Sequence, residues 1–240
     1  MSELEGRIQV EMHFTDQGIG AVIESRRPVL ASRIFEGRSV EEVLSMVPLV
    51  FSLCGQAQSV AAVRAVESAK GIAASSEVER GREILVCLES LREHLWRIFI
   101  DWPQLLGEET RTPLLAPINQ RLTALHKSIN TDGVLNQRPG EQDWQHERKF
   151  QTQWQQLHGQ ISGLMFDPAN EDGQVFPFML LDLLVQRDLA SLGAVSISAL
   201  KPMESQFLAA VLRGQQANNF VAEPHWSGQI CETGPFSRMR

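Results

Sequence analysis

Three cysteines, Cys54, Cys87 and Cys231, are the residues of this 240-residue chain best suited to metal or thiol chemistry. No two of them stand in a C-x-x-C pair, so neither a disulfide framework nor a self-contained zinc site is indicated. Cys54 lies within "VPLVFSLCGQAQSVAAVRAVE", Val47 to Glu67, just ahead of Gly55 and a run of small residues that reads as a helix. A thiolate there would sit at the positive end of the helix dipole, which favours metal ligation or nucleophilic reactivity. A free cysteine is also a small hydrophobe that packs well, and spacing alone leaves both readings open. Cys87 falls beside Ile84 and Leu91 on an apolar helical stripe and reads as a packing residue. His94, two turns further on and next to Leu95, reads as a core histidine, too far from Cys87 for an adjacent-turn pair such as H-E-x-x-H provides. His225 and Cys231 share the stretch "FVAEPHWSGQICETGPFSRMR" and could meet one ligand, but an irregular tail supplies no spacing argument.

Other chemistries lack their residues. There is no G-x-x-x-x-G-K-[ST], no G-x-G-x-x-G after a strand, no G-x-S-x-G and no H-E-x-x-H, so nucleotide binding and serine-type hydrolysis have no support. Carboxylates such as Glu67, Asp101 and Asp182 are scattered along the chain, and sequence cannot pair them. A net charge of -7 argues against nucleic acid or an anionic membrane as partner, because either needs a concentrated positive field. No apolar run approaches the roughly 20 residues of a membrane span. The opening "MSELEGRIQVEMHF" has acids where a signal peptide carries lysines, which places the protein in the cytoplasm.

The elements that would position these residues follow from periodicity. Ile8, Val10, Met12 and Phe14 alternate with polar residues, Asp16-Gln17-Gly18 breaks the run, and Ile19 to Ile23 returns, which predicts a β-hairpin with one buried face ended by Arg26-Arg27-Pro28. Ser39 followed by Glu41 and Glu42 reads as a helix start, and Pro48 as an interruption ahead of Cys54. Gln58 to Lys70, rich in Ala, Val and Ser, reads as a central helix. Ile84, Leu88, Leu91, Leu95 and Ile98 predict a helix over Glu79 to Ile100 that stops at Asp101-Trp102-Pro103. Further helices are expected near Leu114 to Ser128, Gln142 to Met165, Phe178 to Leu192 and Pro202 to Leu212, with loops over 130–140 and 167–173. Trp144 and Trp154 would give the second of these helices an aromatic side on a solvated surface. The expected fold is α+β, mostly α: one domain over 1–240, with a hairpin over 1–28 packed on a helical bundle over 39–212 and an irregular tail over 213–240.

In this order the elements resemble the large subunit of [NiFe] hydrogenases. "EGRSVEEVLSMVPLVFSLCG" is similar to that family's segment leading into its R-I-C-G-V-C-x-x-x-H motif, and "AVESAKGIAASSEVERGREILVCLESLREHLWRIFIDWP" to the A-x-E and histidine-bearing helix that follow. "EPHWSGQICETGPFSR" resembles its A-P-R-Y … G-P-L-A-R segment. In the motif's frame Cys54 matches the first cysteine, Ala57 stands at the second, Ala61 stands at the histidine, and Ser52 precedes Leu53 where the family has arginine and isoleucine. The enzyme's second cysteine pair has no counterpart before Arg240. Nickel and iron are held there by four soft thiolates, so one matching thiolate implies no nickel–iron centre and no turnover.

"FSLCGQAQ", "EHLWRIFIDWP" and "ETGPFSR" resemble a degenerate offshoot, the hydrogenase expression/formation protein HupK (HoxV) family, whose members extend past the last of these segments. That resemblance implies a large-subunit-like fold and a non-catalytic scaffold or chaperone that transiently holds an Fe(CN)2(CO) fragment for transfer to the large subunit precursor. It implies Cys54 as ligand and Cys231 as possible helper, with HypC- and HypD-type maturation proteins as partners. A metal-free chaperone that only mimics the large subunit is the alternative, and an active large subunit is disfavoured by Ala57 and Ala61.

Overall fold

Ser39 fixes where the first helix begins. Its hydroxyl accepts from the Glu42 amide at 3.2 Å and the Glu42 carboxylate accepts from the Ser39 amide at 2.8 Å, a reciprocal cap that satisfies two otherwise orphaned donors. The computed structural model describes residues 7–16, 18–26, 34–167, 175–189, 196–201 and 203–234. From the Ser39 cap α1 runs over Val40–Val50, carrying Pro48 inside it. The expected interruption at Pro48 is thus corrected: a proline in the last turn removes one N–H bond there, and Phe51 still donates to Val47 O at 3.1 Å. After a short turn, α2 (Gly55–Lys70) buries Gly55, Ser59, Val60, Val63 and Glu67, and it ends at Gly71 in the left-handed conformation.

Helix α3 (Ser76–Trp96) is capped by Ser75 and buries Val78, Gly81, Arg82, Leu85, Leu88 and Leu95. This stripe is rotated from the expected one. Ile84 and Leu91 are half-buried and Cys87 and His94 are exposed, so neither of the last two is a core residue. The helical path does not stop at Asp101-Trp102-Pro103. A π-helical turn, Arg97–Asp101, in which the Trp102 amide donates to Arg97 O, leads into α4 (Trp102–Leu106). Pro103 falls in the first turn of α4, where its missing N–H costs nothing.

α5 (Thr112–Ile129) presents Leu115, Ile118, Leu122, Leu125 and Ile129 to the core and packs on α6 (Glu147–Phe166), with Leu157 and Ile161 buried. α6 starts five residues later than Gln142, because Trp144 is not on a solvated helix. It is 4% exposed, its indole donates to Ile129 O at 2.9 Å, and a Cβ on Gly81 would come within 2.9 Å of its ring. α7 (Phe176–Gln186) stacks Phe176 on Phe99 with 5.6 Å between ring centroids.

Strands β1 (Arg7–Thr15) and β2 (Gly18–Arg26) form the expected antiparallel hairpin, with Val10 opposite Ile23, Met12 opposite Ala21 and Phe14 opposite Ile19. Its apolar face is not buried on the bundle. Ile8, Val10, Met12, Phe14, Ile19 and Ile23 are all 54–72% exposed. A two-stranded ribbon is a single layer, and covering its apolar face needs a second one that no described residue supplies.

The chain divides into two compact units, residues 1–183 and 184–240, where the sequence reading has one domain. In the second unit, β3 (Ser198–Ala199), α8 (Ser205–Arg213), α9 (Ala217–Ala222), β4 (His225–Trp226) and β5 (Gln229–Glu232) follow one another, and the strands form a three-stranded sheet in the order β3-β5-β4. The stretch from 217 to 232 is therefore structured rather than irregular, its β4–β5 turn made by Ser227 and Gly228 at positive φ. Among the described residues no helix is long and apolar enough to cross a membrane.

Within the first unit one buried ion cluster joins α2, α3 and the connection between α5 and α6. Arg82, fully buried, forks onto Glu67 with two 2.8 Å bonds, donates from Nε to Leu135 O at 2.6 Å and contacts Glu79. Burial pushes the Glu67 carboxyl up, but hydrogen bonds from Arg82 and the Gly140 amide, with the charges of Arg82 and Arg64, outweigh it and hold the group below its ordinary value. Arg82→Met strands Glu67 in the core and is expected to cost about 3–5 kcal/mol of unfolding free energy in urea denaturation. A loss under about 1 kcal/mol would place the pair in the surface class. A carboxyl depressed on folding contributes stability that is complete above its unfolded value and is lost as pH falls through the folded one. Glu67→Gln is therefore predicted to be less sensitive than wild type to acidification below about pH 4.3, and equal acid sensitivity would contradict this.

Candidate functional site

Cys54 occupies the N-cap position of α2, with φ -115° and ψ 33°, and its side chain is exposed. Its carbonyl takes the first α2 hydrogen bond, from the Gln58 amide at 3.0 Å, and its Sγ receives a long contact from Gln58 Nε2 at 3.9 Å. The turn before it comes close to α1, where a Cβ on Gly55 would stand 3.3 Å from Pro48 O. Glycine is thus what lets α2 begin directly against α1. Positions 57 and 61, three and seven residues beyond Cys54, fall on the same helix face. Ala57 is half-buried and Ala61 exposed.

The positive end of α2 is already engaged. Amides of Gln56 and Ala57 donate to the two Glu89 oxygens at 2.7 and 3.1 Å, so a carboxylate from α3 caps the helix from across the fold. The donors that the sequence offers to a Cys54 thiolate are therefore used by Glu89. The side chain of Gln56 is fixed as well, accepting from Asn136 Nδ2 at 2.8 Å, while Asn136 Oδ1 accepts from Asn130 at 3.0 Å. Cys54 thus sits at a rigid helix start pinned on both sides of Gln56. Neither Glu89 nor Asn136 is legible as a partner from sequence, since they lie 33 and 80 residues from Gln56.

Beside this helix start lies a cavity of about 130 Å³, reached by Ser52, Gln56, Glu89, Arg92, Thr123 and His126. His126 Nε2 is buried with no hydrogen-bond partner among the described residues. Burial, then the charges of Arg92 and Lys127, lower the pKa of His126 and keep its ring neutral.

The other candidates stand elsewhere. Cys231 is on β5, opposite Ser198 in the parallel ladder, 7% exposed, with its thiol directed at Gln229 O at 3.5 Å. Cys54 belongs to the first unit and Cys231 to the second. His225 fixes its Nδ1 on Glu223 O at 2.9 Å and meets the Phe220 ring edge-on. Cys87 borders an apolar groove of about 270 Å³ with Ile84, Leu91, Phe150 and Trp154. Among the described residues no three His, Cys, Asp or Glu side chains gather in a geometry that could hold a metal ion.

No family model matches the chain, and no solved structure does. It is 44% identical over 115 residues to the hydrogenase expression/formation protein HupK of Azotobacter vinelandii, which covers 47% of this chain and 34% of that protein. It is 27% identical over 234 residues to the hydrogenase expression/formation protein HoxV of Cupriavidus necator, 90% of this chain and 57% of the other. A weaker similarity, 27% over 104 residues, reaches the sulfhydrogenase 1 subunit alpha of Pyrococcus furiosus, covering 42% of this chain and 24% of that subunit. The chain thus spans about a third of HupK's length and a little over half of HoxV's. The mostly helical chain with its small hairpin is therefore a relative of the hydrogenase expression/formation proteins of the HupK and HoxV type.

Proposed function

We propose that this chain acts in [NiFe] hydrogenase maturation as a non-catalytic scaffold, holding an Fe(CN)2(CO) fragment on the Cys54 thiolate and passing it to the hydrogenase large subunit precursor. The names of its relatives support a part in hydrogenase formation, and the similarity to a sulfhydrogenase subunit supports a large-subunit-like frame. The observation that carries the ligand assignment is Cys54 itself: an exposed thiol at a rigid helix start, with alanine at the two positions on the same face where the enzyme motif has its second cysteine and its histidine. A soft iron fragment on one thiolate can exchange, whereas several thiolates would retain it. Transfer then breaks one iron–sulfur bond as another forms on the acceptor, with no change in oxidation state. Cys231, buried on β5, would help only after that strand opened. HypC- and HypD-type proteins would deliver the fragment in the cytoplasm, and nickel has no place in the scheme.

A second reading rests on a separate observation. The open apolar face of the hairpin, with Phe14 72% exposed, is the kind of surface that marks a protein interface, and it favours a metal-free chaperone that mimics the large subunit.

Infrared spectroscopy on anaerobically purified protein, coexpressed with the maturation machinery, separates the two. Cyanide and carbon monoxide stretches are expected in wild type and absent in Cys54→Ala. Bands of equal strength in both would overturn the assignment to Cys54, and bands in neither, with maturation still dependent on the chain, would establish the metal-free reading.

A further inference from the structure

The β1–β2 hairpin shows an apolar face that lacks a second layer. In its register Val10 stands opposite Ile23, Met12 opposite Ala21 and Phe14 opposite Ile19, with Ile8 one step beyond Val10 along β1. Alternation sets these side chains on one face and those of Arg7, Glu11, His13 and Glu24 on the other. A two-stranded ribbon is marginal in water until its apolar face is covered. Area, shape and charge point to the same cover. Ile8, Val10, Met12, Phe14, Ile19 and Ile23 are 54–72% exposed, which amounts to roughly 600–700 Å² of apolar surface on one ribbon and about 1,200–1,400 Å² on two placed face to face, inside the range of specific interfaces and above that of incidental contacts.

The shape of the face is complementary to itself. When a second copy is turned end over end about a two-fold axis running across the strands, Ile8 of each copy meets Phe14 of the other, Val10 meets Met12, and Ile23 fills the gap that Ala21 leaves. Each larger side chain thus meets a smaller one, which is what close packing between layers requires. The face carries no charged side chain among the described residues, whereas Arg7, exposed, stands at the open end of the ribbon and Asp16, exposed, at its turn. The same rotation brings Arg7 of each copy toward Asp16 of the other, while stacking the ribbons end to like end would set equal charges together.

We infer that the hairpins of two copies of this chain pack face to face about a two-fold axis, forming a four-stranded sandwich that makes the protein a homodimer. Two ribbons about 10 Å apart supply each other with the layer that one alone lacks. A closed dimer withdraws this face from any hydrogenase chain, which sets it apart from the metal-free reading above, and it makes no demand on iron or on Cys54.

The test is analytical ultracentrifugation of the full chain across a dilution series, with reductant present so that the exposed Cys54 and Cys87 thiols cannot cross-link it. A mass close to twice 26.9 kDa is expected at about 50 μM, falling toward the monomer on dilution. Val10→Glu and Met12→Lys each place a charge inside the sandwich and are expected to weaken the dimer on the order of tenfold or more. His13→Glu, on the opposite face, is expected to leave it unchanged. Mixing Val10→Glu with Met12→Lys sets the two charges against each other across the interface and is expected to recover a dimer that neither forms alone, which a variant that had merely failed to fold could not do. A wild-type chain that stays monomeric at the highest of these concentrations, whether its hairpin face then takes up a hydrogenase large subunit precursor or nothing, would overturn the inference. So would a dimer indifferent to Val10→Glu, or a pair of variants that recovers nothing on mixing.

Discussion

The guanidinium of Arg82 is the interaction on which the rest of the first unit depends. It ties α3 to α2 through Glu67, and to the connection between α5 and α6 through Leu135 O, while the Gly140 amide closes on the same Glu67 carboxylate. Three stretches of chain far apart in sequence thus meet on one charge. A buried arginine is tolerable only when its donors are satisfied, and this one has carboxylates and a carbonyl around it. The net effect is as much about geometry as about stability. With 130–141 held in place, Asn136 can reach Gln56 and Trp144 can fill the space that Gly81 leaves open.

From that frame the environment of Cys54 follows. Asn136 pins the Gln56 side chain, Glu89 pins the Gln56 and Ala57 amides, and Gly55 lies against Pro48. The thiol itself is left out of this network, its one hydrogen-bond contact among the described residues being a long one from Gln58. A rigid base with an exposed sulfur is a useful arrangement for a group that must be presented and then surrendered. Preorganisation lowers the cost of binding, and the small number of ligands keeps the bond exchangeable.

Much of this was legible in the sequence where periodicity or a local rule governs. The Ser39–Glu42 cap, the alternation of the hairpin and the long α3 pattern each depend on neighbours within four residues or on direct alternation. Failures came where a distant partner decides. Trp144 reads as part of a solvated helix until Gly81, 63 positions before it in the chain, is seen to make room for its ring. Pro48 and Pro103 read as stops, yet one sits in a last turn and the other in a first turn after a π-helical segment, positions that cost little. The α3 stripe is offset because Arg82, a charged residue, is fully buried on it together with Val78 and Leu85. At the site, Cys54 could be singled out from its helix-start context and its resemblance, whereas Glu89, Asn136 and His126 carry no local signal.

The most direct test of a single-thiolate anchor is to add the missing ligand back. Position 57 lies one turn beyond Cys54 on the same face, within reach of a shared iron. Release of 57Fe from the purified, loaded protein to an excess of an external thiol would be followed in wild type and in Ala57→Cys. Slower release from Ala57→Cys, on the order of tenfold or more, is predicted if a lone thiolate is what makes the cargo exchangeable. Equal release rates from the two proteins would contradict that claim.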